Sequence, residues 1–349
     1  MTKCKACLTI FLINLLGYPN IRTIKHFGKF LDQPRLVNNF TKTVPAALST
    51  GAGYIVLKES NNTPVENRKR KTIQTGLTMF GAVVSSLYAP KISSKIFRTA
   101  PKFVSNTELT KKNTPIIDAF LSNNPTQEKT GKILEKAKSN ILSIKEIKQL
   151  SEGLNTADGK ALFKELIPEP ENITSNDIFS EIGRLSVYGL IPVLGGIAGG
   201  IAGDMLTDPD YKAKIPNKIK EGAYQYLANI FLCNIGAGAA LGILEKCNIK
   251  SKSARALGMV SGIILTGVIG GSKIANYIGK HFITRCLKDN DDKKRKPEAL
   301  DICLHTDDIA TVAVMSGLKW IEPALPILYA ISGYRASIGY RGKENTSGS

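Results

Sequence analysis

The sequence predicts an all-α membrane protein. It would be a multi-pass helical bundle with glycine-rich helix interfaces, plus a small helical extramembrane segment. Three observations carry this expectation. Four long runs, 72–90, 185–203, 222–244 and 256–272, contain no Asp, Glu, Lys or Arg. Glycines recur four residues apart inside three of them. Basic residues cluster at the ends of the apolar runs.

The central pair, 185–203 and 222–244, organises the rest. At 1.5 Å per residue, nineteen helical residues cover about 28 Å, close to the roughly 30 Å of a bilayer's hydrocarbon core. In water each glycine would cost a helix up to about 1 kcal/mol relative to alanine. In lipid the backbone has no other hydrogen-bond partner, so the helix persists. Gly195, Gly199 and Gly203 then stack on one face, as do Gly196 and Gly200. Such a face lets another backbone approach closely. Gly238 and Gly242 repeat the spacing in the partner run, and Gly258, Gly262, Gly267 and Gly271 do so in the third. Gly195, Gly199, Gly203, Gly238, Gly242, Gly258, Gly262, Gly267 and Gly271 are the candidate helix-packing sites. A soluble helical core, or glycine-rich turns between strands, is the competing reading of the same runs.

Taken in order, residues 1–42 form an N-terminal apolar and basic segment. Lys3 and Lys5 precede the apolar stretch Ala6 to Leu16 without a following Ala-x-Ala site. A signal anchor, an interfacial helix and an over-long start of the reading frame all fit 1–24. Residues 43–90 read as a membrane hairpin whose linker ends in the basic run Arg68 to Lys71, a headgroup anchor. Residues 91–184 are the extramembrane helical segment. There, Glu128 to Leu150 reads as one amphipathic helix, with Ile133, Leu134, Ala137, Ile141, Ile144, Ile147 and Leu150 on its apolar side. Residues 185–244 are the second hairpin, with 204–221 as its polar linker. Residues 245–334 hold further membrane helices around a polar loop at 273–308. Residues 335–349 read as a disordered tail. The first two pairs look loosely like an internal repeat.

Composition bounds the function. The chain has 349 residues, with 47 Lys and Arg against 29 Asp and Glu, a net charge of +18. Mean hydropathy is −0.05, so much of the chain must lie outside the bilayer. Because the basic residues flank apolar runs, the expected partners are the lipid bilayer and its anionic headgroups rather than nucleic acid. A homo-oligomer is also compatible with the glycine faces. The six cysteines are scattered and make no disulfide framework.

No catalytic or cofactor motif emerges. Gly236-Ala237-Gly238-Ala239-Ala240-Leu241-Gly242 lacks the acidic residue that a dinucleotide site needs about twenty positions on. Asp301, Cys303, His305, Asp307 and Asp308 are metal-capable, but no second ligand cluster supports them. The expectation is therefore no metal and no cofactor. Lys319 and Glu322 interrupt the last apolar region and are the candidate intramembrane polar contact. Two headings remain: a non-enzymatic protein of membrane organisation or assembly, or a small-solute or ion transporter or channel. A membrane-embedded enzyme is the weakest alternative.

Overall fold

The computed structural model describes residues 21–98, 104–124, 126–167, 175–249, 252–287 and 319–338, and all regular structure among them is helical. The chain divides into two compact units. One comprises 1–42, 102–171 and 317–320; the other comprises 43–101, 172–316 and 321–349.

The first unit contains α1 (Ile21–Leu31), the start of α2 (Pro34–Asn61), α4 (Asn106–Asn123), α5 (Glu128–Ala137), α6 (Ile144–Gly153) and α7 (Ala157–Leu166). It has its own apolar core, centred on Ile117, Leu134, Ile147, Leu150, Phe163 and Ile167. Its helix starts are well specified. Ser105 with Glu108 and Ser143 with Glu146 each form a capping box. Thr156 accepts from Gly159 N at 3.1 Å. The stretch expected to be one helix from Glu128 to Leu150 is therefore two. Ser143 and Glu146 satisfy each other's backbone N–H groups and start a new helix, so the apolar periodicity continues across a break. Buried Gln33 spans that break: its amide donates to Leu142 O at 2.8 Å and accepts from Leu142 N at 2.7 Å.

The second unit holds the rest of α2, then α3 (Val65–Phe97), α8 (Ser175–Thr207), α9 (Tyr211–Tyr226), a π-helical turn (Leu227–Phe231) and α10 (Leu232–Lys246). Next come α11 (Lys252–Ile263), a second π turn (Ile264–Ile269), α12 (Gly271–Ile278), a third π turn (Gly279–Ile283) and α13 (Thr284–Leu287). A 3-10 turn (Lys319–Ala324), of which 321–324 belong to this unit, leads into α14 (Leu325–Ile338). Three continuous helices, Ser180–Thr207, Tyr211–Lys246 and Leu257–Phe282, are long and apolar enough to cross a membrane. Helices α3 and α8 run antiparallel along much of their lengths, and α14 packs on α8, α9 and α3. Helices α10 and α11 form an antiparallel pair.

The helices overrun the uncharged runs that marked them. Residues 72–90 lie inside α3, and α9 starts at Tyr211, eleven residues before the run 222–244. Most of the presumed linker 204–221 is thus helical, and the turn is confined to 208–210. Asp208 shapes that turn by accepting from Asp210 N at 3.1 Å. The helix α14 continues to Ile338, into the segment expected to be a tail, and the expected polar loop 273–308 is helical over 273–287; residues 288–318 and 339–349 lie outside the described residues.

Candidate functional site

The second unit buries polar groups and exposes apolar ones. Lys218, Glu221, Gln225 and Asn229 follow at steps of three and four, so they share one helix face. Their relative exposures are 9, 2, 0 and 2 %. The Gln225 amide donates to Glu221 Oε1 at 2.7 Å, and the Asn229 amide donates to Gln225 Oε1 at 2.7 Å. Asn229 lies in the π turn, a feature often found at functional positions. Further along, Asn234 donates to Ser186 Oγ at 3.3 Å. Buried Arg335 lies on α14, which packs against α9. Gly222 meets Ile197 and Val193, so Glu221 sits level with the middle of the run 185–203. By contrast, Phe80, Leu194 and Leu265 are 67, 55 and 63 % exposed.

At the α8–α9 turn the polar row meets a cavity of about 270 Å³. Its lining includes Lys71, Thr78, Asp204, Lys214, Lys218 and Tyr334. Lys218 Nζ pairs with Asp204 at 3.1 Å and donates to Ser337 O. Lys214 and Arg70 both pair with Asp208, and Lys71 pairs with Glu59 at 3.3 Å. The Lys214 hydrogen bond holds the Asp208 carboxyl below the ordinary aspartate value, despite partial desolvation.

Near the opposite end of α8, buried Arg184 holds two carboxylates. Its Nε and Nη2 donate to Glu181 at 2.8 and 2.5 Å, and Nη1 pairs with Glu322 at 2.9 Å. This clamp ties the turn before α14 to α8. Tyr188 and Tyr329 pack beyond it with ring centres 5.3 Å apart and planes tilted by 60°.

The residues singled out from sequence fall as follows. A Cβ on Gly195 would meet Ser85 and Gly81 O, one on Gly199 would overlap Leu77 O, and one on Gly203 would lie 2.8 Å from Gln74 Cα. All three thus face α3. The adjacent row faces α14: Gly196 meets Gly333 O, and Gly200 meets Ser337 Cβ at 2.7 Å. Gly262 meets Gly236 O, Gly258 meets Leu244, Gly267 meets Cys233 Sγ, and Gly271 comes 3.0 Å from Ala228 O. Gly238 is buried, whereas Gly242 faces open space. Glu322 pairs with Arg184; Lys319 opens the 3-10 turn, and its side chain lies outside the described residues. The metal-capable cluster 301–308 is likewise outside them, and no group of three or more metal-capable side chains occurs among the described residues.

The sequence reading missed the buried row itself. Its signal was the recurrence of Lys218, Glu221, Gln225 and Asn229 at helical spacing, hidden by treating 204–221 as a linker. It also missed Gly333, an isolated glycine with no four-spaced partner.

Comparison with family models, with curated proteins and with solved structures finds no match. The fold and site define a class: an all-helical protein with three helices long and apolar enough to cross a membrane.

Proposed function

We propose that the chain is a multi-pass integral membrane protein, built on glycine-packed helices, without catalysis of its own, and acting in membrane organisation or assembly. The inverted polarity of the second unit supports this reading. Helix surfaces exposing Phe80, Leu194 and Leu265 suit lipid, while Glu221, Gln225 and Asn229 are withdrawn from the surface. Close backbone approach at Gly81, Gly195, Gly199 and Gly333 is the packing device expected where lipid tails are as apolar as side chains. The partners are the bilayer with its anionic headgroups, and a second copy of the chain. Nucleic acid and cofactors have no part in it.

A second reading, passage of an ion or small solute, is favoured by one observation. The row from Lys218 to Asn229 begins at a cavity and reaches mid-helix depth. Purified protein in liposomes separates the two. The organising role predicts no flux of protons, potassium or chloride above empty vesicles. Flux that falls in Glu221→Gln and Gln225→Leu would replace it with the transport reading.

A further inference from the structure

The cavity beside the α8–α9 turn holds more cations than carboxylates. Its wall carries Lys71, Lys214 and Lys218 against Asp204. Glu59, Asp208 and Arg70 pair with these groups or with each other outside the wall, so the ion-pair network as a whole keeps an excess of one positive charge. Lys218 is held in the wall by Asp204 and Ser337 O, which line the same cavity. Neutral hydrogen-bonding side chains complete the wall, among them Gln74, Thr78 and Asn217. A volume of about 270 Å³ lies just under the range of drug-sized sites, which suits a small polar group.

We infer that this cavity binds a phosphodiester monoanion. One net positive charge is neutralised by a phosphodiester, whereas a phosphomonoester dianion would leave negative charge. Lysine ammonium groups act as point-charge donors to phosphate oxygens, and Thr78 and Asn217 can donate to the remainder. The site lies where α8 ends and α9 begins, at the boundary of two apolar helices. In the membrane reading, on which the lipid version rests, that boundary is headgroup depth, and basic residues there favour anionic lipid. The chemistry has two sources: an anionic phospholipid headgroup, or a soluble phosphodiester.

The test uses the full chain in maltoside detergent, with thermal unfolding read against added dihexanoyl phosphatidylglycerol, dimethyl phosphate or sodium chloride at matched ionic strength. A rise in melting temperature with phosphatidylglycerol alone assigns a lipid headgroup. A rise with both phosphodiesters assigns the shared chemistry and a soluble source. In either case Lys214→Gln, a partly exposed position outside the packed core, should weaken the half-saturating concentration about fivefold. Lys218→Met should abolish the response, and Asp204→Asn with Lys218→Met keeps the result readable if the single variant unfolds. No shift beyond salt for the parent, or an undiminished shift in Lys214→Gln, overturns the proposal. Dimethyl phosphate needs no bilayer, so its binding is decided separately from membrane insertion.

Discussion

Gly199→Ala tests a close backbone contact between α3 and α8. A Cβ at Gly199 would overlap Leu77 O and lie 3.0 Å from Leu77 C and 3.2 Å from Thr78 Cα. All three atoms are backbone, so no rotamer change can make room; α3 and α8 must separate. Inserting a methyl into a packed contact costs about 1–3 kcal/mol. Alanine returns up to about 1 kcal/mol of helix propensity in water, and less in lipid. The expected net loss is therefore about 1–2 kcal/mol, or roughly a 5- to 30-fold shift in the folding equilibrium. Gly76→Ala is the matched control on α3, because nothing lies within 4 Å of its added Cβ. Gly222→Ala should fall between them, since its nearest neighbour is the flexible Ile197 Cδ1. Gly81→Ala meets the same interface through Gly195 O and Gly199 Cα, so its combination with Gly199→Ala should cost less than the sum. The assay is reversible unfolding in detergent followed by circular dichroism. If Gly199→Ala matches the parent, or Gly76→Ala is harmed as much, backbone approach does not limit this packing.

The Arg184 clamp predicts coupling to Glu322. Arg184→Met should cost about 2 kcal/mol, below the value for a fully buried pair, because both carboxylates keep part of their solvent. Glu322→Gln alone should cost within about 1 kcal/mol, and a double-mutant cycle should show the two changes non-additive; strict additivity would remove the pair from the account. In the first unit, Glu146 is partly desolvated, which raises its pKa, but Lys136 and the Ser143 cap outweigh this and leave it below the usual carboxylate range. A depressed folded pKa means its stabilisation is full above the unfolded value and is lost as pH falls through the folded one. Acid titration of helicity should therefore show a loss beginning near pH 4.5 that is smaller in Glu146→Gln; identical curves would exclude Glu146 as its source.

Much of the helical architecture was legible in the sequence because lack of charge and length speak directly to helix and solvent. The four-spaced glycines named a face at Gly195, Gly199 and Gly203, but spacing cannot name the partner, which is α3 through Gln74, Leu77 and Gly81. The helix limits were less legible. A charge that is paired inside a bundle looks, in sequence, like the edge of a linker. Lys218 and Glu221 were assigned to a loop on that ground, although Asp204, Ser337 O and Gln225 satisfy them within the fold. Arg184 served only as the boundary of the run beginning at Leu185, yet it is the partner of Glu322, 138 residues away. Long-range pairing of this kind leaves no local pattern. The break before Ile144 was the reverse case: Ser143 and Glu146 carry a local signal, but the apolar periodicity on both sides masked it.

Membrane insertion is the claim on which the proposed function depends, and alkaline carbonate extraction of membranes containing the full chain tests it most directly. Carbonate at high pH strips proteins held by charge, and with a net charge of +18 an electrostatically bound protein would be released. Helices 180–207, 211–246 and 257–282 crossing the bilayer predict that the protein stays in the membrane pellet until detergent is added. Release into the carbonate supernatant would contradict insertion, and the exposed apolar residues of the second unit would then need another cover.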